Sequence, residues 1–259
     1  MSTTHKAKTP KPAKVSGRRR PALDRDTAMR LAADEYQRFL DQMRSLDDDD
    51  WARPTDCPAW DVRAMASHNL GMAELVATFR EFVRQNVAAM RRPEEGIDAL
   101  TGLQVDARAA MTPAQIIDRY ADVLPRAAAG RRRRARLLGN LTLPEAQPLN
   151  GALEKWTFAF LFDTILTRDT WMHRVDTAQA TGRPMVLTAE HDGVIIADVV
   201  AEWAQRHGAA YSLQLTGPAG GTWSHGSDGP HVEMDAIEFC RTVSRRATGT
   251  GLLAVEVPF

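Results

Sequence analysis

Cysteine is scarce in this chain: Cys57 and Cys240 are the only two among 259 residues, and they lie far apart. That excludes a disulfide framework, so the fold must rest on an apolar core, and a reducing cytoplasm suits the composition. Long hydrophobic runs are missing too, so neither a membrane span nor a secretory leader is expected. Charge of one sign does not dominate, since 33 Lys and Arg balance 33 Asp and Glu. The balance is uneven along the chain. Residues 1–21 hold Lys6, Lys8, Lys11, Lys14, Arg18, Arg19 and Arg20 and no acid, which leaves 26 basic against 33 acidic residues in the rest. An acidic body argues against nucleic acid as a partner. The basic tail has no apolar run to bury, and residues 1–25 are expected to be a disordered, solubilising arm. No internal repeat is visible. Gly217-Pro-Ala-Gly-Gly221 lacks the Lys-Ser/Thr and following helix of a phosphate loop, and reads as a turn.

What remains is mostly helical periodicity. A first helix is expected from a cap at Asp26 or Thr27 through Leu46, followed by a turn-rich loop from Trp51 to Trp60 with two prolines. A second runs from Asp61 to about Met90 on the stripe Val62, Met65, His68, Asn69, Met72, Leu75, Val76, Phe79, Phe82, Val83. A Pro/Gly loop near residues 93–102, with a short helix after it, leads to a third. This one opens at Thr112-Pro113 and closes on Arg131–Arg134 and Arg136, read as a solvated basic end. A fourth spans about Lys155 to Thr181, closed by Gly182 and Pro184. Beyond Pro184 the pattern changes. A helix over Ala189–His207 precedes strand-like runs at Tyr211–Leu215, Thr222–Trp223, His231–Met234 and Leu252–Val257, with a helix from Asp235 to Arg246 before the last. The chain therefore reads as α+β, mostly α: a four-helix bundle over residues 26–184 and a small α+β domain over 185–259.

Two of the bundle's apolar stripes are interrupted by polar groups. The fourth helix presents Phe158, Leu161, Phe162 and Ile165 and then, on the same face, Asp169, Met172, His173 and Asp176. The second carries His68 in mid-stripe. A lone histidine on an apolar face is most often a hydrogen-bonded core residue, and an Asp-x-x-x-His pair is most often solvated. Their joint occurrence on two helices favours one shared site. Two imidazoles and a carboxylate from His68, Asp169 and His173 leave open coordination positions, the pattern of a catalytic divalent metal such as zinc.

The same residues carry a family resemblance. Trp51-x-x-Pro54-Thr55-x-Cys57-Pro58-x-Trp60-Asp61-Val62 with His68 resembles the N-terminal metal-binding domain of the mycothiol-dependent maleylpyruvate isomerases. So does Leu166-Thr-Arg-Asp169-Thr-Trp-Met-His173-Arg-Val-Asp176 with Ala180-Thr-Gly-Arg-Pro184, read against the same domain's fourth helix. The resemblance covers about residues 26–259 and implies a bundle of the DinB-like group. It implies His68, Asp169 and His173 as metal ligands, with Asp169 standing where the isomerase has Glu. It also implies mycothiol as thiol cofactor and an actinobacterial source. The family's C-terminal arginine, usually in Ser-Gly-Arg, corresponds to Arg246 in Ser244-Arg245-Arg246. Arg246 is thereby implied as a catalytic and cofactor-contacting residue. Trp60, at the start of the His68 helix, is a candidate wall of the same cofactor cleft, with a core tryptophan as the alternative reading.

Metal of this kind lowers a thiol's pKa and so makes a nucleophile without one from the protein. Cys57, between prolines, reads as structural rather than nucleophilic, and Asp176 as an acceptor orienting one of the histidines. The expected function is a mycothiol-using thiol transferase or isomerase acting on a small electrophile. The alternatives are a metal-dependent hydrolase and a non-catalytic metal-binding bundle. Neither nucleic acid nor membrane is expected as a partner, and the chain is expected to be a monomer or weak dimer.

Overall fold

The computed structural model describes residues 15–94 and 96–259. Four helices form the bundle: α1 (Arg25–Arg44), α2 (Val62–Ala77), α5 (Pro113–Leu138) and α6 (Leu166–Thr181), with α3 (Phe79–Ala89) and α4 (Gly96–Asp106) packed on α2. Their starts follow local chemistry. The carboxylates of Asp24 and Asp61 accept from Thr27 N and Ala64 N, and Thr112 forms a capping box with Gln115 ahead of Pro113. The first cap is thus Asp24, two or three residues earlier than the periodicity alone suggests. Tyr36, Phe39, Leu70, Val76, Tyr120 and Phe162 meet in the bundle core.

The expected second helix is two. Thr78 adopts an extended conformation, ends α2 and caps α3 by accepting from Glu81 N. The apolar stripe runs on across the break, which is why periodicity does not reveal it. The basic end of α5 is another correction. Arg131 and Arg134 are buried, not solvated. Arg131 donates to the Phe162 carbonyl, to Thr167 and to Tyr36, and Arg134 donates to the Val76 carbonyl at the end of α2. Helix ends leave carbonyls without partners, and these guanidinium groups satisfy them. Phe162 belongs to a π-helical turn, Phe160–Ile165, that leads into α6.

The fourth helix begins later than its pattern implies. Residues 152–156 form strand β3 (Ala152–Trp156), flanked by β2 (Gln147–Leu149) and, in parallel, by β1 (Val15–Arg19). The disorder expected over residues 1–25 therefore does not hold for 15–25, and the earlier part lies outside the described residues. Strand pairing uses backbone groups and needs no apolar side chain, and Arg19 meets Glu154 at 3.2 Å and Glu202 at 3.9 Å.

After α6, which closes on Gly182 with φ 68°, a π-helical turn (Ala189–Gly193) opens α7 (Val194–His207). A second sheet follows in the order β5-β4-β6, from β4 (Tyr211–Thr216), β5 (Gly221–His225) and β6 (His231–Asp235), and α8 (Ala236–Val243) completes it. The strand expected at Leu252–Val257 is absent: a 3-10 turn occupies Gly251–Ala254, and Val257 is buried without sheet pairing. Leu31, Trp171, Met172 and Val175 share one core with Val199, Trp203, Leu213 and Phe239. The C-terminal unit thus covers the outer side of α6, and from Leu166 to Thr177 every residue of that helix except Asp169 is buried. Among the described residues no helix is long and apolar enough to cross a membrane.

Candidate metal centre

The tight loop before α2 is closed by Thr55, whose backbone N–H and hydroxyl both donate to the Trp60 carbonyl. Asp61 then caps α2, and His68 faces inward two turns later. Across the bundle, Asp169 and His173 project from one face of α6. The ligand atoms of His68, Asp169 and His173 all lie within 4.8 Å of one another. His68 Nε2 is 3.4 Å from Asp169 Oδ2 and His173 Nε2 is 3.3 Å from Asp169 Oδ1. Both histidines are buried, and the cluster meets solvent through Asp169, whose side chain is 23% exposed. The Trp60 ring lies over both imidazoles, with centroids 5.0 Å from His68 and 5.9 Å from His173.

This donor set fits a divalent cation. His68 Nδ1 faces Gln104 Oε1 at 2.8 Å and His173 Nδ1 faces Asp176 Oδ2 at 3.2 Å. An imidazole that donates from Nδ1 carries its lone pair on Nε2. Both lone pairs then point at a carboxylate, and only a cation or added protons can reconcile them. Ligands about 2.0–2.1 Å from a tetrahedral ion sit roughly 3.3 Å from each other, close to the observed spacing. Burial opposes charge on both Asp169 and His173. Their mutual attraction more than offsets it, holding the Asp169 carboxyl well below its ordinary range and pushing His173 up to about 9.

The proton on His173 gives a pH prediction for metal-free protein. Its folded-state pKa is raised above the unfolded value, so the stabilisation is complete below about pH 6.5 and disappears as pH rises through 9. The loss is about 3 kcal/mol. Urea unfolding with a strong chelator at pH 6, 7.5 and 9 measures it. A metal-free protein more stable at pH 9 than at pH 6 would contradict the assignment.

A layer of partners surrounds the cluster. Asp176 is buried and receives a bidentate Arg246, with Nε at 2.6 Å and one Nη at 2.8 Å. Cys57 Sγ lies 4.0 Å from both Asp176 and Arg246. Burial first, then the Asp176 charge, pushes its thiol up to about 11, which keeps it protonated and a poor nucleophile. Arg246 is also the one residue shared by two shallow clefts, of about 240 and 250 Å³. Gln104, on α4, was not among the residues singled out from sequence. Its signal is modest: an amide one helical turn beyond Leu100, on the same face.

Arg246 reaches Asp176 because the chain turns sharply after α8. Arg245 has φ 69°, in the left-handed region that favours glycine, and Arg246 N then donates back to Arg241 O. This is the position at which related sequences are expected to carry Gly. Arg245→Gly should therefore raise stability by about 1 kcal/mol, because the exposed Arg245–Glu256 pair contributes little. A lower urea midpoint in the variant would refute that reading of the turn.

A second group of ligating side chains, Glu35, His191 and Asp192, is equally compact. It already holds two cations: Arg174 reaches Glu35 at 2.9 Å and Asp192 at 2.5 Å, and Arg38 lies 3.5 Å from Asp192. Two guanidinium groups balance the two carboxylates and leave no charge for an ion to neutralise.

The profile of the mycothiol maleylpyruvate isomerase N-terminal domain matches residues 32–178, from α1 through most of α6. The chain belongs to that family. The matched segment includes His68, Asp169, His173 and Asp176, and Arg246 lies outside it. No curated protein matches the chain. Among solved structures, the crystal structure of the mycothiol-dependent maleylpyruvate isomerase is similar, with 15% identity, a TM-score of 0.55, and coverage of 87% of this chain and 91% of that one. A histidine-to-alanine mutant of that enzyme gives a TM-score of 0.52 at the same identity and coverage. At this identity the likeness establishes the fold alone.

Proposed function

We propose that this family member is a metal-dependent enzyme that uses mycothiol to isomerise, or transfer the thiol to, a small electrophile. The metal, zinc by donor chemistry, is assigned to His68, Asp169 and His173. The observation that carries the reading is the pair of Nε2 atoms facing one carboxylate while both Nδ1 atoms face acceptors. Family membership supplies the thiol and the reaction class.

When bound, an ion held by His68, Asp169 and His173 would lower the pKa of a thiol and so supply a nucleophile at neutral pH for addition to an activated double bond or for displacement of a leaving group. The chain's own groups prepare that chemistry. Asp176 accepts a hydrogen bond from His173 Nδ1–H and so keeps Nε2 free to ligate. Arg246 neutralises Asp176 through Nε and one Nη, and its other Nη is available to an anionic group of substrate or cofactor. Trp60 shields the imidazole faces from water. Cys57, protonated, does not compete with the incoming thiol.

The test is to combine zinc-loaded protein with mycothiol and either maleylpyruvate or a haloaromatic compound. Product should form only with both metal and thiol present, and Arg246→Ala should slow it. Ester or amide hydrolysis without thiol would replace this reading with a hydrolase. Tight zinc binding without turnover of any electrophile would leave a non-catalytic bundle.

A further inference from the structure

Behind His68, on the side away from the candidate ion, two buried amides form a relay with a defined direction. Gln85 Nε2 donates to the Gly71 carbonyl at 3.1 Å and to Glu81 Oε2 at 3.2 Å. A backbone carbonyl and a carboxylate can only accept, so the Gln85 NH₂ must face them. Its Oε1 is thereby turned to Gln104, which answers with Nε2 at 2.9 Å. Gln104 Oε1 is then left for His68 Nδ1, which must carry the proton. Reversing either amide would set donor against donor or acceptor against acceptor among groups that are 1% exposed, where an unmade hydrogen bond costs about 1–3 kcal/mol.

The backbone is shaped for this relay. Gly71 lies inside α2, where glycine costs about 1 kcal/mol relative to alanine. A Cβ there would come within 2.5 Å of the Gln104 side chain, so the glycine admits the amide. The break at Thr78 matters equally. In one unbroken helix, residue 85 would stand roughly 21 Å along the axis from residue 71. The turn at Thr78 instead folds α3 back, so that Gln85 reaches the Gly71 carbonyl.

We infer that Gln85 and Gln104 are positioning residues that hold His68 in the tautomer with its Nε2 lone pair directed at the metal position, Gln85 acting without touching His68. The inference rests on the metal reading above. Without the relay, neutral His68 gains a second option: a proton on Nε2, donated to Asp169, which closes the ligand position.

The test compares wild type, Gln85→Leu, Gln104→Glu and the double variant by zinc titration against a chromophoric chelator. Gln85→Leu should weaken zinc binding about tenfold, the usual scale for an outer partner of a ligating histidine. Gln104→Glu, whose carboxylate can only accept, should bind zinc at least as tightly as wild type. In the Gln104→Glu background, Gln85→Leu should then change affinity less than twofold, because Gln85 no longer sets which atom faces His68. An equal tenfold loss in both backgrounds would mean that Gln85 acts by packing alone and would overturn the inference. Ring ¹⁵N NMR of metal-free protein in alkaline solution supplies the independent readout. His68 should carry its proton on Nδ1 in wild type and show a mixture of tautomers in Gln85→Leu; a proton on Nε2 in wild type would also overturn it. If wild type binds no zinc, the metal reading fails, and these spectra decide the relay by themselves.

Discussion

His173→Ala is expected to lower zinc affinity about 10²–10³-fold while leaving most of the helix content intact. Structural zinc sites with four ligands bind with roughly 10–16 kcal/mol, so one ligand corresponds to about 2.5–4 kcal/mol. The fold does not depend on that contribution, because Tyr36, Phe39, Leu70, Val76, Tyr120 and Phe162 form a bundle core of their own. Two instruments settle it. Elemental analysis and chelator competition give the metal content, and far-ultraviolet circular dichroism gives the fold. An unchanged zinc stoichiometry would remove His173 from the site. Complete unfolding would instead make the metal a structural element.

Arg168→Ala is expected to be the most damaging substitution away from the site, destabilising the protein by about 4 kcal/mol and lowering its melting temperature by roughly 10 °C. Arg168 is buried between Asp198 at 2.7 Å and Glu202 at 2.6 Å, and also donates to the Pro258 carbonyl. Burial works against its charge, and the two carboxylates more than offset it. Removing the guanidinium leaves the buried Asp198 without a cation and takes one of its partners from Glu202, which keeps Arg206, on α7 beside α6, the helix that carries Asp169 and His173. Thermal unfolding of the metal-free protein measures the effect. Combining Arg168→Met with Asp198→Asn should restore much of the loss, because Glu202 keeps Arg206 and no carboxylate is then left without a cation. A loss below about 1 kcal/mol for Arg168→Ala would show that water reaches the carboxylates.

The contrast between what could be read along the chain and what required the folded molecule has one physical origin. Helical geometry is local. A rise of 1.5 Å per residue at 3.6 residues per turn puts Asp169 and His173 side by side whatever the rest of the chain does, and the same period carries His68 to the inner face of α2. Caps are local as well, so Thr112-Pro113 and Asp61 mark helix starts from a few residues. The sparse cysteines and the broken charge pattern likewise need no partner to be informative. Long charged and polar side chains behave otherwise, because their burial depends on groups that only packing supplies. Arg131 and Arg134 read as a solvated run until the carbonyls of Phe162 and Val76 come within reach. Asp176 is an acid near a helix end until Arg246, 70 residues later, turns through Arg245 to neutralise it. Lys155 and Trp156 look like the first turn of a helix until strands on both sides claim their backbone groups. Gln85 and Gln104 are unremarkable in sequence, and the direction of their hydrogen bonds is set by the Gly71 carbonyl on a third helix together with the Glu81 carboxylate. Periodicity thus determined the helices of the bundle, though not the break at Thr78, and which faces carry the candidate ligating atoms. The tertiary structure decided the distances between those atoms and the charges that neutralise them, because electrostatic and hydrogen-bond energies depend on separations that no local repeat encodes.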